Sequence, residues 1–199
     1  MSDPTIADWL GVGANLITTF AVAAGVLIAW RQLEAWKGEH VSKRRAEIAE
    51  QLLSAAYEVR SGLHATRSPM EFVSQDEGGR QDATIKVKWE RLRSYAEYFD
   101  RLRTAQVLQE AFWDSEKISA SVKELFDARA TVLAAMHVLI NLEFRENSSN
   151  EESDFYHELM RDMGAVHSKN DTLRSKIDEA VETLKGELLP VIRMDRKVK

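Results

Sequence analysis

The side chains able to do chemistry in this chain are few and dispersed. The absence of cysteine removes disulfides, thiolate zinc sites and cysteine nucleophiles in one step. Five histidines, His40, His64, His137, His157 and His167, fall without metal-ligand spacing, so no metal and no cofactor is expected. There is no phosphate-cradling glycine loop, no HExxH and no serine elbow, and Gly78-Gly79-Arg80 is too short to make a phosphate site. Asp154, His157 and Glu158 read as a solvated helix face. Two arginines stand out. Arg129 falls between Leu125 and Leu133 on an apolar helix face, where a guanidinium needs a carboxylate or carbonyl partner, and breaking such a pair costs roughly 3–5 kcal/mol. It reads as a buried ion pair or a subunit-interface contact. The alternative is an anion or nucleotide contact, which Arg60 and Arg67 would extend. Arg161 is followed, after five residues, by His167.

The segment Arg161-Asp162-Met163-Gly164-Ala165-Val166-His167 resembles the motif of the HEPN ribonucleases, including the polar residue directly after the arginine. The resemblance covers seven residues within an all-helical chain. It implies catalytic roles for Arg161 and His167. The histidine would act in proton transfer and the arginine would hold the phosphate, with two protomers bringing their pairs together.

These residues must be positioned by elements, and the first of these is the most distinctive. From Trp9 to Trp30 the chain runs WLGVGANLITTFAVAAGVLIAW, 22 residues without an ionisable side chain. As a helix this covers about 33 Å, against roughly 30 Å for a bilayer core. Tryptophan at both ends suits the headgroup level. A single transmembrane helix is therefore expected. Projected at 100° per residue, Gly11, Asn15, Thr18, Val22, Gly25 and Ala29 share one face, opposite the bulky Leu10, Leu16, Ile17, Phe20, Leu27 and Ile28. Small residues mark close backbone approach in membranes, and an asparagine is best satisfied across a helix interface. That face is expected to pack against other copies, or to line a pore if several protomers form a ring.

No lysine or arginine precedes Arg31, whereas Arg31, Lys37, Lys43, Arg44 and Arg45 follow closely. The positive-inside rule then places the N-terminus outside and the remainder in the cytoplasm. A cleaved signal peptide fits poorly, because the charged n-region is missing and the apolar run is too long. Two of the 32 acidic residues, Asp3 and Asp8, precede the span, leaving 30 against 27 Lys and Arg beyond it. That mild negative charge does not favour generic DNA binding.

Beyond the span the pattern is helical throughout. Arg31–Arg67 contains no proline, and its first part is polar nearly all round. Ile48, Leu52, Ala55, Ala56, Val59 and Leu63 then form an apolar stripe that Ser68-Pro69 ends. Residues 68–82 form a loop, with Pro69, Phe72 and Arg80 as candidate partner contacts. A second stripe runs from Ile85 through Leu102 towards Phe112. A third, capped by Asp114 or Ser115, carries Ile118, Val122, Leu125, Leu133, Met136 and Ile140. A short helix from about Glu151 to Met163 is ended or bent by Gly164, and the last helix is expected to stop at Pro190. The expected organisation is an external N-terminus over residues 1–8, a transmembrane helix over 9–30, a stalk over 31–47, an up-and-down cytoplasmic helical bundle over 48–190 and a basic tail over 191–199. The fold class is all-α.

The order of features is similar to a set of uncharacterised bacterial single-span membrane proteins. Tyr57-Glu58-Val59-Arg60, Arg67-Ser68-Pro69, Phe72, Glu77-Gly78-Gly79-Arg80 and Leu125-Phe126-Asp127-Ala128-Arg129 carry that similarity. In layout the chain also resembles membrane-anchored, HEPN-like accessory proteins of RNA-targeting CRISPR systems. That resemblance implies a homo-oligomeric effector that perturbs the membrane on a cytoplasmic signal, in a phage-defence role, with membrane lipid and a cytosolic protein or RNA-guided partner. Two other readings stay open: a membrane-anchored ribonuclease using Arg161 and His167, and a non-enzymatic scaffold for a cytosolic partner.

Overall fold

The structure is a computed structural model; it describes residues 6–68, 80–141, 150–164 and 171–196, with side chains in the first helix from Thr18 onward. It contains α1 (Ile6–Thr66), α2 (Arg80–Ser94), α3 (Ala96–Phe112), α4 (Glu116–Asn141), α5 (Asn150–Asp162) and α6 (Thr172–Arg196). The chain is all-α, with no strand among the described residues. It divides into two compact units, one ending at Arg44 and one beginning at Arg45.

The first unit is the N-terminal part of α1. Every described side chain from Thr18 to Val41 is exposed, including Phe20, Val26, Leu27, Ile28 and Trp30. Among the described residues no helix is long and apolar enough to cross a membrane. The transmembrane helix expected over residues 9–30 is therefore not shown. The physical reason is length: Trp9–Ile17 lie outside the described side chains. The apolar run left, Thr18–Trp30, would cover only about 20 Å before Arg31, short of a bilayer core. The candidate face divides in the same way. Gly11 and Asn15 fall outside the described side chains, and Thr18, Val22, Gly25 and Ala29 are exposed.

The second unit is a helical bundle with one core. Ala49, Leu52, Ala56, Val59 and Leu63 of α1 repeat at three and four residues, so α1 turns one stripe inward. α4 packs against α2, α3, α5 and α6, and its Ile118, Val122, Leu125, Val132 and Met136 are buried almost completely. α6 supplies Ile177, Val181, Leu184 and Leu188.

Side-chain pairs between helices set the register. Arg45 Nη2 donates to Phe112 O at 3.1 Å, Arg101 reaches Glu58 at 3.1 Å, and Lys88 Nζ donates to Thr66 O at 2.9 Å, so α1 runs antiparallel to α2 and α3. Phe99 against Phe126 and Ser119 against Glu110 make α3 and α4 antiparallel, as their short connection requires.

Two boundaries differ from the sequence reading. The stripe from Ile85 to Phe112 is broken at Tyr95, whose backbone sits at φ −92° and ψ 6°. α6 continues through Pro190 to Arg196. Proline forfeits its N–H bond and crowds the carbonyl four residues back, but here that residue is Gly186, which has open space around it, and Leu188 and Ile192 are buried on either side.

Candidate functional site

The ends of α1 and α5 and the start of α6 meet in a polar hub. Helices finish with unpaired carbonyls and a partial negative charge, which cations relieve. Arg67, at the end of α1, has a side chain only 3% exposed. Its Nε donates to Asp162 O at 2.9 Å and its Nη2 to Arg161 O at 3.2 Å, closing the end of α5. Nη2 also lies 2.8 Å from Asp171 Oδ1. That same carboxylate oxygen accepts the Arg174 backbone N–H at 3.0 Å, capping α6. Burial opposes ionisation of Asp171, yet the hydrogen bonds from Arg67 and the Arg174 N–H hold it below the usual carboxylate range.

Gly164 ends α5 with φ 77°, and its N–H donates to Arg161 O at 2.9 Å. A side chain at this position would overlap the Arg67 main chain, so glycine is required both for its backbone angle and for the close approach of α1. The end of α1 is closed in turn from α2. Arg91 Nη1 donates to Ala65 O at 2.9 Å, and the fully buried Lys88 donates to Thr66 O at 2.9 Å and Ser68 O at 2.6 Å.

On the flank of this hub His64 Nε2 lies 3.4 Å from Asp178 Oδ1, with Arg60 3.9 Å from the same oxygen. Burial pushes the His64 ring below its ordinary value of 6.5; Asp178 opposes this, and Arg174, Arg60 and Arg67 reinforce it. Asp162 is shifted the other way, upward, mainly by burial.

Arg161, one of the two candidate catalytic residues, sits at the last turn of α5. Its Nη2 is 3.5 Å from Glu158, and its buried Nε has no hydrogen-bond partner among the described residues. The structure holds its main chain through Arg67. His167 lies outside the described residues, as do Pro69 and Phe72. Arg80 opens α2, with its side chain outside the described set.

Arg129 has no ion pair among the described residues. Its guanidinium lies 4.5 Å from the centroid of Phe99, and its Nε is buried without a hydrogen-bond partner among the described residues. The core face of α4 is set by Leu125, Ala128 and Val132. Arg129 is one residue, or 100°, off that face, and an aromatic ring supplies the favourable contact instead. Arg103 does the same over Phe126 at 4.3 Å.

Sequence reasoning overlooked Lys88 and Asp171. The signal for Lys88 was its spacing, three residues after Ile85 and four before Leu92, on the buried face of α2. Among the described residues no group of three or more His, Asp or Glu side chains could hold a metal ion. No family model, curated protein or solved structure matches the chain. Its function is therefore argued from these residues alone.

Proposed function

We propose that the chain is a single-span membrane protein of the bacterial inner membrane. Its spans self-associate, and its helical domain couples a cytoplasmic signal to disturbance of the bilayer, in a phage-defence role. One observation carries the membrane part. The described portion of α1 exposes Phe20, Val22, Val26, Leu27, Ile28 and Trp30 around the helix, with Phe20 at 74%, and nothing in its own unit covers them. Contiguous apolar surface of this kind marks contact with a membrane or another chain. The uncharged sequence from Trp9 onward extends it to a bilayer's length. The face containing Gly11, Asn15, Thr18, Val22, Gly25 and Ala29 supplies the close-packing surface. One helix encloses no path, so leakage requires several protomers.

The deciding experiment expresses the full chain in bacteria, measures resistance to alkaline extraction from membranes, and follows dye leakage from liposomes reconstituted with the purified protein. The reading expects extraction-resistant protein and leakage that rises more steeply than linearly with protein density. Protein recovered wholly in the soluble fraction would overturn it.

A ribonuclease reading is favoured by one specific feature, the buried Arg161 Nε, which has no hydrogen-bond partner among the described residues. A donor held in place and unused suits an anionic substrate. Cleavage of RNA by the purified chain, abolished by both Arg161→Ala and His167→Ala, is its expected outcome.

A further inference from the structure

A second concave site lies in the helical domain, away from the hub. The groove between α2 and the last turn of α4 has a volume of about 660 Å³ and opens to solvent. α2 contributes Lys86, Trp89, Glu90 and Arg93, spaced three, one and three residues apart and so on one face; α4 contributes His137 and Ile140. Trp89 is 38% exposed and Ile140 56% exposed, so the groove offers an aromatic face and an aliphatic wall to the solvent.

The charges around it are not balanced. The neighbouring cations of α2 are committed elsewhere, Lys88 and Arg91 donating to carbonyls at the end of α1. Lys86 and Arg93 are exposed and make no ion pair among the described residues, and Glu90 is the one carboxylate lining the groove. In a chain of formal charge −5 the described lining of this groove carries two cations, Lys86 and Arg93, against one carboxylate.

We propose that the groove binds a nucleotide. Trp89 takes the base by stacking, as exposed aromatic side chains do for nucleobases. Lys86 and Arg93, about 10 Å apart along α2, flank it and attract the phosphates, the guanidinium offering paired donors to phosphate oxygens. Glu90 accepts from a ribose hydroxyl or a base amine. The volume lies within the roughly 300–1,000 Å³ of small-molecule sites. A single free nucleotide fits better than a strand, because among the described residues Trp89 is the one aromatic face open at the groove. Phe99 is buried, and both Phe99 and Phe126 are covered by arginines. This site is independent of the membrane anchor and of Arg161.

The test is isothermal titration of the full, detergent-solubilised chain with ATP, GTP, CTP and UTP, alongside adenosine, inorganic triphosphate and a short single-stranded oligonucleotide. At least one nucleotide should bind and raise the melting temperature, with adenosine and triphosphate each at least tenfold weaker. Trp89→Leu and Arg93→Gln should each weaken binding about tenfold. Lys86→Gln should do so if Trp89→Leu fails to fold, since Lys86 is an exposed side chain. Absence of binding by all four nucleotides to folded protein overturns the proposal. So does triphosphate binding as tightly as the best nucleotide, which would make the groove a generic anion patch. An oligonucleotide binding more tightly than any mononucleotide would replace it with a strand-binding site.

Discussion

Arg67 Nη2 lies 2.8 Å from Asp171 Oδ1, across more than a hundred residues of sequence, and the same guanidinium closes the carbonyl end of α5. One side chain thus holds the end of α1, the end of α5 and the start of α6. The arrangement repeats elsewhere in the domain. Lys88 and Arg91 close α1 from α2, and Arg45 closes α3 from α1. Cations from neighbouring helices satisfy carbonyls that each helix leaves unpaired, and in doing so they fix the register between helices.

Arg67→Met should be severely destabilising. It removes a buried charge, leaves Asp171 without its guanidinium partner and takes the Arg67 donor from the Asp162 and Arg161 carbonyls, for which a loss of about 3–5 kcal/mol is expected. Arg67→Lys should recover little, because an ammonium cannot reproduce the planar fork that reaches both Asp162 O and Asp171. Urea denaturation followed by circular dichroism measures both. A wild-type midpoint for Arg67→Met would show that the hub contributes nothing to folding.

His64 predicts the direction of acid sensitivity. Its folded-state value is depressed below 6.5, chiefly by burial, so the unfolded chain takes up a proton first as pH falls. Stability therefore declines on acidification from about 6.5 down to the folded value. Asp171 acts lower: its depressed value gives stability that is present above the ordinary carboxylate range and is lost as pH falls through the folded value. Denaturation midpoints at a series of pH values should fall through the His64 range and again through the Asp171 range, the second fall working against the upward-shifted Asp162, which favours the folded state on acidification. His64→Gln should flatten the upper phase and leave the lower one.

Gly164→Ala tests the turn that sets α5 against α1. At φ 77° a side chain costs about 1–2 kcal/mol, and here it also meets the Arg67 main chain. A loss above 2 kcal/mol is expected. Gly186→Ala is the control. The space around Gly186 is open and its helix continues, so this change should be neutral or stabilising by up to about 1 kcal/mol. Equal effects for the two substitutions would remove the steric argument.

Much of the fold was legible because burial writes itself as periodicity. Ile48, Leu52, Ala55, Ala56, Val59 and Leu63 were read as one inward stripe, and all six are buried. The reading failed where the stripe drifted. On α4 the step from Leu125 to Leu133 passes over the buried Ala128 and Val132, which puts Arg129 on the core face and asks for a carboxylate, a carbonyl or a subunit-interface partner, whereas the residue lies one position off that face. The hub was hidden for another reason. A lysine or arginine that caps a distant helix has no local signature, since its partners are backbone carbonyls identical at every residue. Tyr95 breaks the second stripe without glycine or proline to announce it.

Insertion of α1 into a bilayer can be challenged directly. Val22→Asp or Val26→Asp places a carboxylate in the middle of the uncharged stretch, where residues 22 and 26 are exposed and so tolerate any side chain within the chain itself. A central aspartate disfavours insertion by roughly 2.5–3.5 kcal/mol. Each variant should shift from the extraction-resistant membrane fraction towards the soluble one, and the pair together should shift completely. Unchanged partitioning of the double variant would mean that the helix is covered by protein rather than by lipid.

Gly25 separates self-association from simple anchoring. A side chain built at this position meets nothing within 4 Å in its own chain, so Gly25→Leu introduces no internal clash and adds apolar surface that lipid accepts. Any effect must then arise from a neighbouring copy. If the face containing Thr18, Val22, Gly25 and Ala29 packs against other spans, Gly25→Leu holds the backbones apart and should cost most of the oligomer. Leu27→Ala on the opposite face should not. Crosslinking in intact membranes, read as the fraction migrating above monomer, gives the comparison. Retention of oligomers by Gly25→Leu together with Asn15→Leu would leave the helix as an anchor and move assembly to the helical domain. Loss in Leu27→Ala alone would place the interface on the bulky face.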